Sequence, residues 1–66
     1  MTREELCRAV MAVCRKALEL GKELPPRRDL AAAMGVDEKA LMAAFRALTN
    51  SKKIIVRGPQ VVMVVR

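Results

Sequence analysis

The fold of this chain is decided by residues 27–50, which read RRDLAAAMGVDEKALMAAFRALTN. Apolar residues recur at helical intervals on both sides of Gly35-Val36-Asp37, and this tripeptide interrupts the two patterns. Gly35 adopts a positive φ angle without strain, and Asp37 is a favoured residue at the N-cap of a helix. We therefore expect a short helix over about residues 27–34 and a longer one over about residues 38–50.

Two helices that are joined by a three-residue turn containing glycine form a helix-turn-helix. The side of the second helix that is predicted to be buried consists of apolar residues at helical spacing, namely Leu41, Ala44, Phe45 and Leu48. Ala31, in the first helix, is small enough to let the two helices approach each other closely. The opposite side of the second helix is therefore expected to face solvent.

The residues that precede this unit predict one more helix. Thr2 and Glu5 have the spacing of a capping box, in which each side chain bonds the backbone N–H of the other residue. Apolar residues then recur at intervals of three and four from Leu6 to Leu20, in a stripe wide enough to contact a core on more than one side. Gly21 is suited to end the helix in a left-handed conformation, so the first helix is expected over about residues 3–20.

The C-terminal segment predicts a β-hairpin over about residues 54–65. Its two halves are rich in β-branched residues and flank a glycine-proline pair. A two-residue loop at this pair would align Val56 with Val61 and Ile54 with Met63. A longer loop is the alternative, because proline is unusual at the second position of such a turn. The predicted fold class is therefore mostly α with a small β-hairpin, in the form of a three-helix helix-turn-helix with a C-terminal wing.

Composition narrows the class of function. A chain of 66 residues has room for one small domain, here residues 1–66. The absence of histidine removes the usual general base and the commonest metal ligand. Cys7 and Cys14 are too far apart on a helix for a disulfide, and their spacing does not suit zinc, so both are expected to be buried and reduced. We expect no enzymatic activity, no catalytic residue, no cofactor and no metal.

The net charge of +6 is confined to the second part of the chain. Residues 1–38 carry seven basic and seven acidic side chains, whereas residues 39–66 carry six basic ones and no acid. Such an asymmetry indicates a polyanionic partner, a nucleic acid in preference to a membrane surface. No apolar run is long enough to span a bilayer and no signal peptide is recognised, so a cytoplasmic location is expected.

The spacing Leu24-Pro25-x4-Leu30-Ala31-x3-Gly35-Val36 resembles that of the DNA-binding domain of the GntR family of bacterial regulators. The resemblance continues to the strand that opens at Ile54 and covers about residues 20–65. At Pro26 and Asp37 the family usually has serine. The resemblance implies a winged helix, sequence-preferring binding to double-stranded DNA and a role in transcription regulation. Because the family's effector-binding and dimerising domain does not follow the hairpin, we expect a stand-alone module, natural or designed.

In this arrangement the helix over residues 38–50 enters the major groove with the side opposite its buried face. Arginine and lysine donate to guanine or to phosphate, and short alanine side chains let the helix lie close to the bases. The candidate base contacts are Glu38, Lys39, Ala40, Met42, Ala43 and Arg46. The candidate phosphate contacts are Arg27, Arg28, Asn50, Lys52, Lys53 and Arg57.

A second class of function stays open at this point. The wide apolar stripe of the first helix and the valine-rich strand at residues 61–65 also suit a protein-protein interaction or dimerisation module, and a homodimer is compatible with either function. Some of the candidate base contacts also have a purely structural explanation. Alanine is the best helix former, and a glutamate such as Glu38 stabilises the N-terminus of any helix. The outer side of the third helix discriminates, because a basic, alanine-rich surface favours DNA whereas an apolar stripe favours a protein partner.

Overall fold

Three helices and one β-hairpin follow one another in the computed structural model, which describes residues 2–65. In chain order they are α1 (Arg3–Leu20), α2 (Arg27–Met34), α3 (Glu38–Asn50), β1 (Ile54–Arg57) and β2 (Gln60–Val64). The two strands pair antiparallel in a two-stranded sheet. The predicted fold class, mostly α with a small β-hairpin, is confirmed.

Local side-chain and backbone bonds account for both ends of α1. The backbone N–H of Glu5 donates to the Thr2 hydroxyl at 3.2 Å, and the Glu5 carboxylate accepts from the Thr2 backbone N–H in return. Gly21 ends the helix with a φ angle of 64°. Its amide and that of Lys22 donate to carbonyls in the last helical turn, which is a Schellman motif. The capping box and the glycine stop are therefore both present as predicted.

Gly35 makes the turn between α2 and α3. It has a φ angle of 68°, and the amides of Gly35 and Val36 donate to the carbonyls of Ala32 and Ala31 at 3.2 and 3.0 Å. This second Schellman motif ends α2. Asp37 lies at the N-cap of α3 in an extended conformation, but its side chain makes no capping hydrogen bond. The direction of α3 is therefore set by the glycine turn rather than by the aspartate.

The hydrophobic core lies where α1, α3 and the hairpin meet. α1 packs against both α3 and β2, and α2 packs on α3. The buried residues are Leu6, Val10, Cys14, Ala17, Leu30, Ala31, Leu41, Ala44, Phe45, Leu48, Ile54 and Val61. All four residues that were predicted to form the buried side of α3 are among them. No polar or charged side chain is buried within the described part of the chain.

The register of the hairpin departs from the predicted one beyond its first pair. Val56 is aligned with Val61 as expected, but Ile54 is aligned with Val64 instead of Met63. The predicted pairing of Ile54 with Met63 is therefore wrong. The turn itself has two residues, and the positive φ of its first residue, Gly58 (58°), suits a type II′ turn.

A β-bulge on β2 is the cause of this shift. Val62 has no partner on β1, and a bulge of this kind adds one residue to one strand and increases its twist. Val61 before the bulge and Val64 after it both pack against the core, whereas strict alternation would have turned Met63 inward. The prediction could not include the bulge, because every residue from Val61 to Val65 is apolar.

Two backbone hydrogen bonds lie at the two ends of the hairpin, beyond its paired strand residues. At its tip, the Leu24 amide donates to the Pro59 carbonyl at 2.7 Å. At its base, the Val65 amide donates to the Lys53 carbonyl at 2.8 Å. The connection between α1 and α2 therefore holds the turn of the hairpin.

Among residues 2–65, no helix is long and apolar enough to cross a membrane.

The two cysteines differ in their environment. Both are free, but only Cys14 is completely buried, whereas Cys7 is half-buried. The predicted burial is therefore confirmed for Cys14 and correct only in part for Cys7. Burial raises the pKa of the Cys14 thiol to about 11, because the thiolate would lose its hydration in the apolar core.

We expect the free energy of unfolding to fall as the pH rises from about 9 to about 11. In the unfolded chain Cys14 ionises near pH 9.0, whereas the folded protein keeps it protonated up to about pH 11, so deprotonation stabilises the unfolded state across this window. One proton contributes a slope of at most about 1.4 kcal/mol per pH unit. Urea unfolding at several pH values measures this slope, and Cys14→Ala is the control that should lack the component. Identical pH dependence in the two proteins would contradict the assignment.

Gly35→Val is expected to destabilise the fold through its backbone alone. A Cβ at this position would meet no atom within 4 Å, but a left-handed conformation costs a residue with a Cβ roughly 1–2 kcal/mol, and more for a β-branched residue. Gly35→Asn is the matched control, since asparagine tolerates this conformation better. Thermal unfolding should rank glycine above asparagine and asparagine above valine. Equal losses for the two variants would exclude the strain explanation.

Candidate nucleic-acid interface

The side of α3 that points away from the core is exposed. The buried residues of this helix all lie on its core side, which leaves the opposite side free for contacts. The exposed residues of α3 include all six candidate base contacts and Asn50, namely Glu38, Lys39, Ala40, Met42, Ala43, Arg46 and Asn50. We refer to the row formed by Lys39, Ala43, Arg46 and Asn50 as the outer face of α3.

The outer face of α3 is basic and alanine-rich. Its four residues occupy positions i, i+4, i+7 and i+11 of the helix, so they fall within about 60° around the helix axis. Lys39 and Arg46 supply donors, and the Asn50 amide both donates and accepts hydrogen bonds. Met42, at 43 % exposure, is the large apolar side chain exposed beside them. The face therefore carries exposed hydrogen-bond donors and acceptors, and it is not an apolar stripe.

A cation–π contact connects α2 to α3 beside this face. The guanidinium carbon of Arg27 lies 5.8 Å from the centre of the Phe45 ring, within the range of this interaction. Phe45 is 8 % exposed, so one ring both belongs to the core and supports an exposed cation. Arg28, the next residue, is also exposed, and the N-terminus of α2 where both arginines lie favours anions.

A cleft of about 300 Å³ lies between α3 and the hairpin. Four of the candidate contacts line it, namely Arg27 from α2 and Met42, Arg46 and Asn50 from α3. Gly58 at the hairpin turn lines the same cleft, where the missing side chain leaves room. Guanidinium groups bind phosphate through paired hydrogen bonds. The fold thus brings two predicted base contacts and two predicted phosphate contacts to one cleft.

The backbone of Lys52 is strained. Lys52 has a φ angle of 58° and is the one non-glycine residue with a positive φ among residues 2–65. Its amide and that of Lys53 donate to the carbonyls of Thr49 and Leu48, so α3 ends in the same motif that glycine makes for α1 and α2. A lysine in this conformation costs roughly 1–2 kcal/mol relative to an ordinary one. A residue with a long cationic side chain therefore occupies a position at which glycine would have the lowest conformational free-energy cost.

The remaining candidate contacts do not converge on the cleft. Lys53 lies on the other flank of α3, where it shares a groove with Arg3 and Arg8 of α1. Arg57 ends β1, opposite Gln60 and next to the hairpin turn. The predicted phosphate contacts are therefore spread over the start of α2, the end of α3 and the hairpin. Only some of them line the cleft between α3 and the hairpin.

Two features of the cleft are not predictable from the sequence, namely the second role of Phe45 and the position of Thr49. Phe45 was predicted as a core residue only, and its contact with Arg27 joins residues too far apart in sequence to leave a local signal. Thr49 lines the cleft, while its hydroxyl donates to the Phe45 carbonyl at 2.8 Å. Because this bond uses the hydroxyl proton, the Thr49 oxygen can accept a hydrogen bond at the cleft but does not donate one there.

In comparisons with known proteins, no family model matches the chain, no curated protein matches it, and no solved structure matches it. The resemblance to the GntR family therefore stays a prediction from residues 24–36 and from the apolar pattern that follows them.

Proposed function

We propose that this protein binds double-stranded DNA with sequence preference, with α3 in the major groove. The observation that carries the proposal is the outer face of α3, where Lys39, Arg46 and Asn50 stand exposed in one row. α3 has 13 residues and is about 20 Å long at 1.5 Å per residue. The major groove, about 12 Å wide, admits an α-helix. Residues 39–66 carry no acidic side chain, and this favours the approach of this part of the protein to a polyanion.

Each exposed residue type of α3 has a role in this binding mode. Arg46 donates to the O6 and N7 atoms of guanine, and Lys39 donates to guanine or to a phosphate. Ala40 and Ala43 keep the helix close to the base edges, where a methyl group contacts the thymine methyl. Glu38, in the first turn, accepts from the N4 amino group of cytosine.

Contacts to the phosphate backbone position the helix. Arg27 is held against the Phe45 ring at 5.8 Å and lines the cleft beside the hairpin, so a backbone that passes between α3 and the hairpin meets its guanidinium group. Arg28, Lys52 and Arg57 extend this basic surface. Such contacts fix register and orientation and carry no sequence information of their own.

The resemblance to the GntR family supports a role in transcription regulation. With bacterial DNA as the partner, the place of action is the cytoplasm. The proposal involves neither catalysis nor a cofactor.

The alternative, a protein-interaction or dimerisation module, is favoured by one observation. Three β-branched side chains of the hairpin segment, Ile55, Val62 and Val65, are between 42 and 52 % exposed. Covering this surface with a second copy or another protein would remove apolar area from water. The two functions are separated by titration with duplex DNA in dilute buffer, which stays flat if the protein contacts only other proteins.

Arg46→Ala is expected to weaken binding to the preferred duplex by about 1–3 kcal/mol, or roughly 5- to 150-fold, if Arg46 reads a base. The preferred duplex is first selected from a randomised pool and sequenced, and fluorescence anisotropy then gives the affinities. On a random duplex the loss should be smaller, because only phosphate contacts act there. Arg15→Ala, at an exposed position of α1, removes the same charge away from the outer face. Equal effects of the two substitutions would remove Arg46 from the site.

The affinity for a duplex is expected to depend steeply on salt. With about five phosphates neutralised, log K falls with log salt at a slope of roughly −4 to −5. Replacing Lys52 and Lys53 together by alanine should flatten this slope by about one unit for each lysine while the preferred sequence is retained. Alanine keeps the Cβ of Lys52 and hence the backbone strain, so the fold is not relaxed by the change. An unchanged slope would show that neither lysine contacts phosphate.

A further inference from the structure

A second groove lies on the other flank of α3, between α3 and α1. Its volume is about 660 Å³, compared with about 300 Å³ for the cleft beside the hairpin. On this side it is lined by Ala47 and Leu48 of α3 and by Ser51 directly after the helix. Ala47 follows Arg46 in the helix and so points about 100° away from it around the helix axis. We refer to it as the α1–α3 groove. It is separate from the outer face of α3.

The floor of the α1–α3 groove is apolar. Cys7 and Met11 of α1 meet Ala47 and Leu48 of α3 along it. Leu48 is buried, but the other three are only half-buried, so apolar surface of two helices stays in contact with solvent. Methionine fits surfaces of varied shape, because its side chain is unbranched and polarizable. A groove of this construction suits the apolar face of a helix or an extended segment.

The rim of the groove is positively charged. Arg3, Arg8 and Lys53 line it together with a single acid, Glu4. The rim thus holds three cations to one acid, with Arg3 and Arg8 on α1 and Lys53 on the opposite wall, after α3. All four side chains are exposed, so they are free to contact a partner above the floor.

We propose that the α1–α3 groove binds an acidic amphipathic segment of another protein. The apolar residues of that segment cover Met11 and Ala47, and its carboxylates pair with Arg3 and Lys53. Charge selects this occupant over a second copy of the chain, which carries a net charge of +6. A nucleic acid would satisfy the cations but offers no apolar face for the floor. The groove and the outer face of α3 lie on different sides of the helix, and Lys53 is the one residue that the groove shares with the candidate phosphate contacts.

A synthetic peptide tests the proposal with the whole chain. The probe is a fluorescein-labelled helical peptide of about 16 residues with leucine on one face and glutamate on its flanks. A scrambled peptide of the same composition and a polyglutamate of the same charge are the controls. We expect the amphipathic peptide to bind at least about tenfold more tightly than either control, because only it combines an apolar face with flanking carboxylates. If polyglutamate binds as tightly as the amphipathic peptide, the groove recognises only negative charge and the proposal is wrong. The absence of any binding would also overturn the proposal.

A matched pair of substitutions on α3 locates the binding site. Ala47→Glu places a carboxylate in the floor of the groove and should weaken peptide binding about tenfold or more, because it repels the acidic flanks. Met42→Glu adds the same charge on the hairpin side of α3, where Met42 is exposed, and should weaken DNA binding while it leaves peptide binding intact. Equal effects of the two variants on the peptide would contradict the proposal. Should Ala47→Glu unfold the protein, Arg3→Glu at an exposed position reverses the rim charge without touching the core and decides the question.

Two further measurements test the other possible occupants of the groove, a nucleic acid and a second copy of the chain. If a short duplex displaces the peptide competitively, the groove belongs to the DNA-binding surface and the proposal is wrong. If the protein sediments as a dimer that Ala47→Glu dissociates, a second copy is the occupant instead. Simultaneous binding of the peptide and the duplex to a monomer is the expected result.

Discussion

Two backbone hydrogen bonds, from Gly35 and Val36 to the last turn of α2, determine how the rest of this small domain is arranged. They require a left-handed residue, and Gly35 supplies it at a φ of 68°. Because α3 leaves this turn in a fixed direction, Leu41 and Phe45 are directed into the core against α1 and the hairpin. The same direction exposes Arg46 on the opposite side of the helix. The position of the basic outer face therefore follows from the geometry of one turn.

α3 has three differently used sides. One side is core, one is the basic outer face, and the flank toward α1 forms an apolar floor at Ala47. Phe45 lies at a boundary between the first two, since its ring is buried yet holds the Arg27 guanidinium at 5.8 Å. A substitution at Phe45 would therefore alter both the packing of the core and the placement of a cation. In a domain of this size, side chains that serve the fold also position the candidate site.

Strain and irregularity are concentrated after α3. Lys52 ends the helix in a left-handed conformation that disfavours a side chain, and the bulge at Val62 follows within the hairpin. The bulge turns Val61 and Val64 to the core and leaves Val62 exposed. These two features determine how the hairpin lies beside the cleft, and both keep the apolar contacts of the core intact. The proposed DNA-binding surface thus depends on the least regular part of the chain.

The sequence by itself determined what depends on neighbouring residues. The helix ends follow from Thr2, Gly21 and Gly35, and the buried side of α3 follows from helical periodicity, because capping and periodicity act within a few residues. The exposure of the candidate base contacts follows from the same periodicity. Only the tertiary structure decided the bulge, the meeting of Arg27 with Phe45, the half-exposure of Cys7 and the groove between α1 and α3. Each of these depends on contacts between residues distant in the chain, and an all-apolar strand or an isolated arginine carries no local signal of them.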